Sequence, residues 1–271
     1  MSQKDKILLH LWFDTEAMAA AEYYTNIFPD SKLLQRVELK DTPSGEVELV
    51  SFSLAGVRFE AISAGPFLKI NDSIRIIVFC DSIDERNGYK EKLADEVIFD
   101  GEIIWLKDSF GVYWGLTVRQ SGEFANLPKV CPLIDGYGFA EEMCQYYQKE
   151  FSTKSSVLVE KLGNWQVLKV ADQPLILANI TQGKSQYTGA LSLLYLCENQ
   201  AEIDSFYNGF SADASSEQCG WLVDKYGISW QIVPRIFLDF ASQLSTEEYQ
   251  RVNQQILKMK KIVLADLGII S

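Results

Sequence analysis

Residues 219–234, CGWLVDKYGISWQIVP, decide the fold of this chain, because a shorter version of the same pattern, WLKDSFGVYW, occupies residues 105–114. In both copies Trp-Leu is followed after one residue by Asp, then by an aromatic residue, Gly, a β-branched residue and Trp. This order predicts a half-buried strand, a turn whose Gly takes positive φ, and a second strand. The two copies lie 116 residues apart, which indicates a tandem duplication.

The same period recurs elsewhere in the chain. Residues 52–63 (FSLAGVRFEAIS) lie 116 positions before residues 168–179 (LKVADQPLILAN), with apolar residues matching at nearly every second position. The helical pattern Tyr-Tyr-x-x-x-Phe occurs at residues 23–28 and again at residues 146–151, at a spacing of 123. The difference between the two spacings predicts a surplus turn in the first copy, and residues 40–46 (KDTPSGE) fit it best.

Length and composition support two domains in one chain. A chain of 271 residues with 47% apolar content can bury a large core. The polar, turn-rich stretch SGEFANLP at residues 121–128 predicts the boundary between the repeats. We therefore expect a first domain over residues 1–122, a second over residues 128–240, and a C-terminal helix over residues 245–267.

Several classes of partner are disfavoured by composition. A formal net charge of −12 repels nucleic-acid phosphates and anionic lipid. The sequence has no apolar run of about 18 residues that would span a membrane, and its start, MSQKDK, lacks the apolar segment of a signal peptide. A cytoplasmic protein is expected. The five cysteines contain no CxxC pair, so neither a disulfide framework nor a zinc ribbon is indicated.

Each repeat is predicted to contain two modules of the order βαβββ, which gives four modules in all. Capping signals open two of the helices, at Ser82 with Glu85 and at Asn199 with Glu202. The C-terminal segment has no counterpart in the first repeat. There a capping box at residues 245–248 precedes an apolar stripe at spacings of 3 and 4, formed by Tyr249, Val252, Ile256, Met259 and Val263. This helix either docks on its own domain or helps to hold two chains together as a homodimer.

Long segments of the chain resemble a known family. These are residues 219–234, residues 11–32 (LWFDTEAMAAAEYYTNIFPDSK), residues 52–66 (FSLAGVRFEAISAGP) and residues 256–267 (ILKMKKIVLADL). They resemble the PhnB-like family, also labelled 3-demethylubiquinone-9 3-methyltransferase, within the vicinal oxygen chelate superfamily of glyoxalases and bleomycin-resistance proteins. The resemblance implies an α+β fold, in which a duplicated glyoxalase-like domain supplies four βαβββ modules to two open, barrel-like sheets. It also implies that the two repeats pack as an intramolecular pseudo-dimer.

The methyltransferase label finds little support in the sequence. A site for S-adenosylmethionine requires a strand, a Gly-rich turn and a helix N-terminus within a parallel sheet. The nearest glycine cluster, at residues 135–138 (DGYG), has no such pattern around it. We expect no methyl transfer and no cofactor.

The superfamily resemblance also implies positions for a divalent metal, one on the first strand and one on the last strand of each module. Carried over to this chain, those positions are Leu9 or His10, Glu60, Arg75 and Gly115 in the first repeat. In the second repeat they are Ile176, Ser192, Gln231 and a residue in CPLID, at residues 131–135. Zinc, iron and nickel sites require several His or carboxylate ligands, and this chain has one His. Neither repeat is predicted to hold a metal.

The candidate ligand-binding residues follow from the same positions. In a first-repeat cleft they are His10, Trp12, Glu60 and Arg75, and in a second-repeat cleft they are Ser192 and Gln231. Arg75 is predicted either to form an ion pair with Glu60 in the place of the missing metal or to be a solvated residue at the start of its strand. His10 has the chemistry of a general base, although a lone His in a strand is more often a hydrogen-bonded structural residue.

Two classes of function remain. The first is a metal-free protein that binds or sequesters a small molecule in a mostly apolar cleft. The second is a glyoxalase-superfamily enzyme of lyase, isomerase or dioxygenase type, with its chemistry in the first-repeat cleft. The sequence does not identify the ligand of either.

Overall fold

Two mixed β-sheets and the helices packed against them form the structure, which is a computed structural model. It describes residues 6–119, 124–181, 186–238 and 244–268. Part of the predicted domain boundary, residues 121–123, lies outside these ranges, and the division into domains at residues 122 and 128 stays a prediction. Within the described residues, no helix is both long enough and apolar enough to cross a membrane.

The first repeat contains two complete βαβββ modules, as the sequence predicts. Its first module comprises β1 (Ile7–Phe13), α1 (Ala17–Ile27), β2 (Lys32–Thr42), β3 (Gly45–Leu54) and β4 (Val57–Ser63). Its second module comprises β5 (Ile74–Cys80), α2 (Ile83–Leu93), β6 (Glu96–Asp100), β7 (Ile104–Lys107) and β8 (Tyr113–Val118). The surplus residues 40–46 lengthen the hairpin formed by β2 and β3.

The second repeat has the same order but one strand fewer. Its first module comprises β9 (Val130–Asp135), α3 (Ala140–Ser152), β10 (Val157–Leu162), β11 (Trp165–Val170) and β12 (Gln173–Ala178). Its second module comprises β13 (Leu191–Cys197), α4 (Gln200–Phe210), β14 (Trp221–Val223) and β15 (Ser229–Pro234). Residues 211–217, all of which are described, form turns where the other modules have a strand.

The sheets combine modules from different repeats. The seven-stranded sheet has the order β14-β15-β13-β1-β4-β3-β2, so it joins the fourth module to the first. The eight-stranded sheet, β10-β11-β12-β9-β5-β8-β7-β6, joins the third module to the second. Within each module the first strand pairs in parallel with the last strand. The other edge of the first strand pairs antiparallel with the first strand of a module from the other repeat. We call the face of each sheet that lies opposite the helices the concave face. The prediction of one cleft within each repeat is wrong, because each concave face is built from strands of both repeats.

The duplicated Trp-Leu-x-Asp motif connects the modules of one repeat on the helix side of the sheets. Asp108 is buried in the turn between β7 and β8, where its carboxylate accepts hydrogen bonds from the backbone N–H groups of Phe110 and Val112, both at 2.9 Å. Its second oxygen accepts from Trp114 Nε1 at 2.8 Å and from the hydroxyl of Tyr24, on α1, at 2.7 Å. The predicted positive φ is present at Gly111, and Asp224 repeats the whole arrangement in the second repeat.

The C-terminal segment packs on its own chain. Helix α5 (Thr246–Ile256) begins at the predicted capping box, in which Ser245 and Glu248 make both reciprocal hydrogen bonds. It ends before the predicted residue 267, and a short 3₁₀ helix (Leu264–Leu267) follows. Between the two, the carbonyl oxygens of residues 259 and 260 accept hydrogen bonds from the N–H groups of Cys219 and Gly220, both at 2.8 Å. This pairing fixes the chain after the helix against the residues just before β14, so that the following residues lie over the concave face of the seven-stranded sheet.

Candidate functional site

Strand alternation places His10 on the concave face of the seven-stranded sheet. On β1 the odd-numbered side chains Ile7, Leu9, Leu11 and Phe13 join the main core against the helices. Leu8 belongs instead to a cluster with Leu194 and Leu196 on the other face, and His10 lies between Leu8 and Trp12. The first strand thus presents a polar residue at the centre of the sheet.

Four of the sequence-predicted residues meet around His10. In the strand register, Glu60 of β4 lies beside His10 on one side and Ser192 of β13 lies beside it on the other. Gln231 Nε2 donates to Ser192 Oγ at 3.1 Å, and Ser192 Oγ lies 3.5 Å from His10 Nδ1. Residues predicted for two separate clefts therefore form one site, because the first and fourth modules share a sheet.

Arg75 does not belong to this site, and the predicted ion pair between Arg75 and Glu60 is wrong. Arg75 lies on β5 of the other sheet, where it forms ion pairs with Asp72 at 2.8 Å and with Asp135 at 3.4 Å. Glu60 instead forms an ion pair with Arg58, whose Nε lies 2.8 Å from Glu60 Oε1. The reason is topological, since the edge of β1 is paired with β13 and not with β5.

Trp12 lies on the concave face but is used in packing. Its Nε1 donates to the carbonyl of Gly65 at 2.8 Å, and its ring packs with a cluster formed by Leu39, Val47 and Ala64. It therefore supports the wall beside the site.

A cavity of about 190 Å³ lies between this face and the C-terminal segment. The sheet supplies its floor, which includes His10, Glu60 and Gln231. The segment supplies its roof through Tyr249, Asn253, Ile256 and Ile262. The lining also includes apolar side chains of the floor, namely Val37, Leu49, Leu194 and Val233. The site is thus a small, mixed cavity closed by a part of the chain that is distant in sequence.

The ionisable groups of the cavity carry little net charge. Burial lowers the pKa of His10 to about 4, so the ring is neutral at pH 7. Ser192 Oγ accepts a hydrogen bond from Gln231 and lies within reach of His10 Nδ1. Burial, together with the nearby carboxylate of Glu60, raises the pKa of Tyr249 to about 12. The remaining charges, on Arg58 and Glu60, compensate each other.

Two amide donors in the cavity lack partners. Among the described residues, three buried side-chain nitrogen or oxygen atoms have no hydrogen-bond partner, and two of these are Gln35 Nε2 and Asn253 Nδ2. Both residues line the cavity, Gln35 from β2 and Asn253 from α5. An unpaired buried donor costs about 1–3 kcal/mol, so two in one small space require an explanation. The sequence gives no sign of either residue, because neither occupies a position carried over from the superfamily.

Arg58 could have been found from the sequence. It lies two residues before Glu60 on the same strand, so both side chains point to the same face. Ser51, on the neighbouring strand β3, donates its hydroxyl to Glu60 and lies 3.3 Å from an Arg58 nitrogen. Groups from β3 and β4 therefore contribute to holding the carboxylate.

The concave face of the eight-stranded sheet is filled by side chains. The position equivalent to Gln231 is Gly115, and a Cβ there would lie 2.4 Å from the Trp105 ring and 2.6 Å from Ile77. The ring of Trp105 also stacks on the guanidinium of Arg75, at 5.3 Å. An apolar cluster containing Phe79, Cys131, Leu133, Val167 and Ile176 covers the rest of the face. This side of the molecule is packed as a core.

The residues of the candidate site do not fit a transition metal. Of the four positions, only His10 and Glu60 carry groups that ligate such metals well, and the described residues contain no cluster of three or more His, Cys, Asp or Glu side chains that could hold a metal ion. The carboxylate of Glu60 already faces a guanidinium. An arginine thus occupies the place beside the carboxylate where a cation would bind.

A comparison with protein families identifies the chain. A family model described as 3-demethylubiquinone-9 3-methyltransferase matches residues 5–117 and 139–233. The chain belongs to this family. Among curated proteins no match is found.

Solved structures with related folds support the glyoxalase-like architecture. Glyoxalase I from Zea mays is 14% identical, with 88% of this chain and 96% of that chain covered and a TM-score of 0.57. A putative dioxygenase from Bacillus subtilis subsp. subtilis str. 168 is 11% identical, with 94% and 96% covered and a TM-score of 0.54. A putative 3-demethylubiquinone-9 3-methyltransferase, PhnB protein, from Bacillus cereus is 23% identical over 42% of this chain and all of that one, with a TM-score of 0.39. The likenesses to glyoxalase I and to the putative dioxygenase confirm the predicted α+β, glyoxalase-like fold.

The methyl donor that the family description implies does not fit the glycine-rich turn of this member. The turn at residues 135–138 precedes α3, but its free amides are already satisfied. Asn179 Oδ1 accepts from the N–H groups of Gly138 at 2.9 Å and of Ala140 at 3.1 Å. The carboxylate of Asp135 accepts from three backbone N–H groups, those of Tyr137, Ile180 and Thr181. These backbone amides are therefore not available to bind the carboxylate of S-adenosylmethionine.

Proposed function

We propose that this protein binds a small molecule, without a metal, in the cavity between the seven-stranded sheet and the C-terminal segment. The observation that carries the proposal is the pair of unpartnered donors, Gln35 Nε2 and Asn253 Nδ2, in one cavity. Buried donors without acceptors are costly, whereas an acceptor on a ligand would satisfy both and offset that cost. The donors therefore favour a ligand with oxygen acceptors at two points.

The volume and the charges of the cavity narrow the range of possible ligands. The volume of about 190 Å³ lies below the range of about 300–1,000 Å³ typical of sites for drug-sized ligands, so the ligand is small. The Arg58–Glu60 pair is internally compensated and His10 is neutral, which favours a ligand without a strong net charge. The apolar side chains of Val37, Leu49 and Ile256 suit a hydrocarbon part. We propose a compact carbonyl or amide compound with one apolar side.

The enzymatic alternative has weaker support from the same geometry. His10, with a pKa of about 4, is a weak general base at neutral pH, and its Nδ1 faces the Ser192 hydroxyl. Arg75, which was expected in the same cleft as His10 and Glu60, lies on the other sheet. Binding without turnover therefore accounts better for the groups that are present.

A thermal-shift screen tests the proposal. Wild-type protein, the Gln35→Leu/Asn253→Leu variant and an Asn26→Leu control are melted with a panel of small ketones, amides and hydroxy-aromatic compounds. Asn26 is exposed on α1, outside the cavity. We expect at least one compound to raise the Tm of wild type and of the control but not that of the cavity variant. Equal shifts in all three proteins would place binding elsewhere, and the absence of both a shift and a co-purified compound in native mass spectrometry would refute the proposal.

A further inference from the structure

Three features that break the symmetry between the repeats meet at the cavity. The first is the surplus turn at residues 40–46, and the second is the C-terminal segment, residues 244–268, which has no counterpart in the first repeat. The third is Cys219-Gly220, whose equivalents 116 positions earlier are Ile103 and Ile104. The first and third features both contact the second, which forms the roof of the cavity. Their convergence indicates that the roof is a specific feature of the seven-stranded sheet, with no equivalent among the described residues on the other sheet.

The surplus turn holds α5 through its backbone. Gln250 Oε1 accepts from the N–H of Lys40 at 3.2 Å, and Gln250 Nε2 donates to the carbonyl of the same residue. Gln254 Nε2 donates to the carbonyl of Asp41 at 3.0 Å. These bonds are exposed to solvent. Exposed bonds of this kind open at a small fraction of the free energy needed to unfold a core.

The C-terminal end of the roof is fixed to the fourth module, both by a backbone pairing at Cys219-Gly220 and by hydrogen bonds of Gln200 with the backbone of residues 262 and 264. Cys219 and Gly220 take positive φ, at 54° and 89°, which turns their N–H groups toward the carbonyls of residues 259 and 260. A Cβ on Gly220 would lie 3.0 Å from the Ile262 side chain and 3.1 Å from a backbone oxygen, so only glycine fits this approach well. In the first repeat, Ile104 occupies the equivalent position within β7 and pairs with β6.

The roof also has a hydrophobic cluster separate from the main core. Val252, Ile262 and Leu267 are buried against one another, with Tyr249 and Ile256 at the border of the cavity. The main core, which includes both sheets and α1 to α4, does not include these residues. Helix α5 can therefore lift while residues 259–264 stay attached to the fourth module and the rest of the fold stays intact.

We infer that α5 forms a gate over the cavity, which lifts to admit a ligand and is drawn closed when Asn253 binds it. This inference rests on the proposed function, because it concerns access to the same cavity. Asn253 Nδ2, on the roof, and Gln35 Nε2, on the floor, both lack acceptors, so a ligand that satisfies both links roof to floor. By mass action, such a ligand favours the closed state only as far as it contacts Asn253.

Cys219 provides a reporter of the gate that needs no ligand. It lines the cavity and is half-buried, whereas Cys80, Cys131, Cys144 and Cys197 are buried elsewhere in the core. Burial raises the pKa of the Cys219 thiol, which slows its reaction while the gate is closed. The rate of modification by Ellman's reagent, resolved by peptide mass spectrometry, therefore measures opening in the full chain.

The test compares Gln250→Ala/Gln254→Ala with Glu247→Gln, an exposed residue on the same helix. We expect the double variant to raise the rate at Cys219 about tenfold, as the loss of one or two net hydrogen bonds implies, and the control to leave it unchanged. Val252→Ala, which loosens the separate cluster, is expected to act in the same direction. Hydrogen exchange of the α5 amides should quicken in parallel, with the amides of β1 unaffected.

Rates at Cys219 within about twofold of wild type in both gate variants, with unchanged exchange in α5, would overturn the gate. A parallel quickening of β1 exchange would also overturn it, because α5 would then open only with the whole fold. These readouts are separate from the ligand screen. A protein that binds compounds but shows no gating refutes the gate alone, and one that gates but binds nothing refutes the proposed function alone.

Discussion

Arg58 and Glu60 lie two residues apart on one strand and form an ion pair, with Arg58 Nε 2.8 Å from Glu60 Oε1. Because side chains at i and i+2 of a strand share a face, both point into the cavity. Glu60 occupies one of the positions at which the superfamily resemblance implies a metal ligand. The guanidinium thus supplies a fixed positive charge where a metalloenzyme would use a cation.

Metal content is the first prediction. Protein expressed in medium supplemented with zinc, nickel, iron and manganese is expected to carry none of them stoichiometrically, because only His10 and Glu60 are competent donors at the four positions. Elemental analysis of the purified full chain measures this directly. About one metal ion per chain would contradict it.

The Arg58–Glu60 pair is expected to contribute through mutual compensation. Arg58→Met leaves a largely buried carboxylate without its cation and should lower the free energy of unfolding by about 2 kcal/mol. Adding Glu60→Leu should restore most of that loss, since an apolar pair of similar volume needs no compensation. Urea denaturation of wild type, both single variants and the double variant gives the coupling energy. Additive single effects would show that the two side chains are independent.

The unpartnered amides are expected to lower stability in the ligand-free protein. Gln35→Leu and Asn253→Leu remove buried donors without acceptors, so each should raise the free energy of unfolding by about 1 kcal/mol. Gln231→Leu is the matched control, because this amide in the same cavity has a partner in Ser192. It should destabilise by about 1 kcal/mol. Destabilisation of similar size in all three variants would indicate that the first two amides are satisfied.

His10 is expected to make stability depend on pH. Its pKa is about 4 in the folded state, lowered by burial from an ordinary value of 6.5, so the unfolded chain binds more protons between these values. The free energy of unfolding is therefore not reduced by His10 above about pH 6.5. It falls as the pH drops toward 4, by about 2 kcal/mol between pH 7 and pH 5. His10→Gln should lack this component. As His10 is the single histidine, its NMR signal gives an independent reading, and a midpoint near 6.5 would contradict the prediction.

The filled face of the eight-stranded sheet gives a prediction about glycine. Gly115→Ala forces a methyl group against Trp105 and Ile77 and should destabilise by about 1–3 kcal/mol. Gly88→Ala on α2 is the control, because a Cβ there meets nothing within 4 Å and alanine favours a helix. It should stabilise by up to about 1 kcal/mol. Chemical denaturation of both variants decides the matter, and a neutral Gly115→Ala would mean that this face is loosely packed.

Much of the fold could be predicted because its determinants are local. The spacing of Trp, Asp and Gly specifies the hairpin around Asp108, and the Ser82, Asn199 and Ser245 caps each mark a helix start. These signals act over a few residues, where chain geometry leaves few alternatives. Because the two repeats share a common period, the elements predicted for one repeat also predict those of the other. Four candidate residues, His10, Glu60, Ser192 and Gln231, follow one by one from the positions carried over from the superfamily, and their role in binding stays a prediction.

Only the tertiary structure decided which of those residues meet. Strand pairing depends on which sheet edges are free, and an edge of β1 accepts β13 of the other repeat, not β5 of its own. That choice separates Arg75 from Glu60 and joins Ser192 to His10, although nothing in the local sequence distinguishes the two pairings. Gln35 and Asn253 are further apart still, and their shared lack of an acceptor exists only because α5 lies across the sheet. Local sequence determined the modules, and long-range packing determined the site.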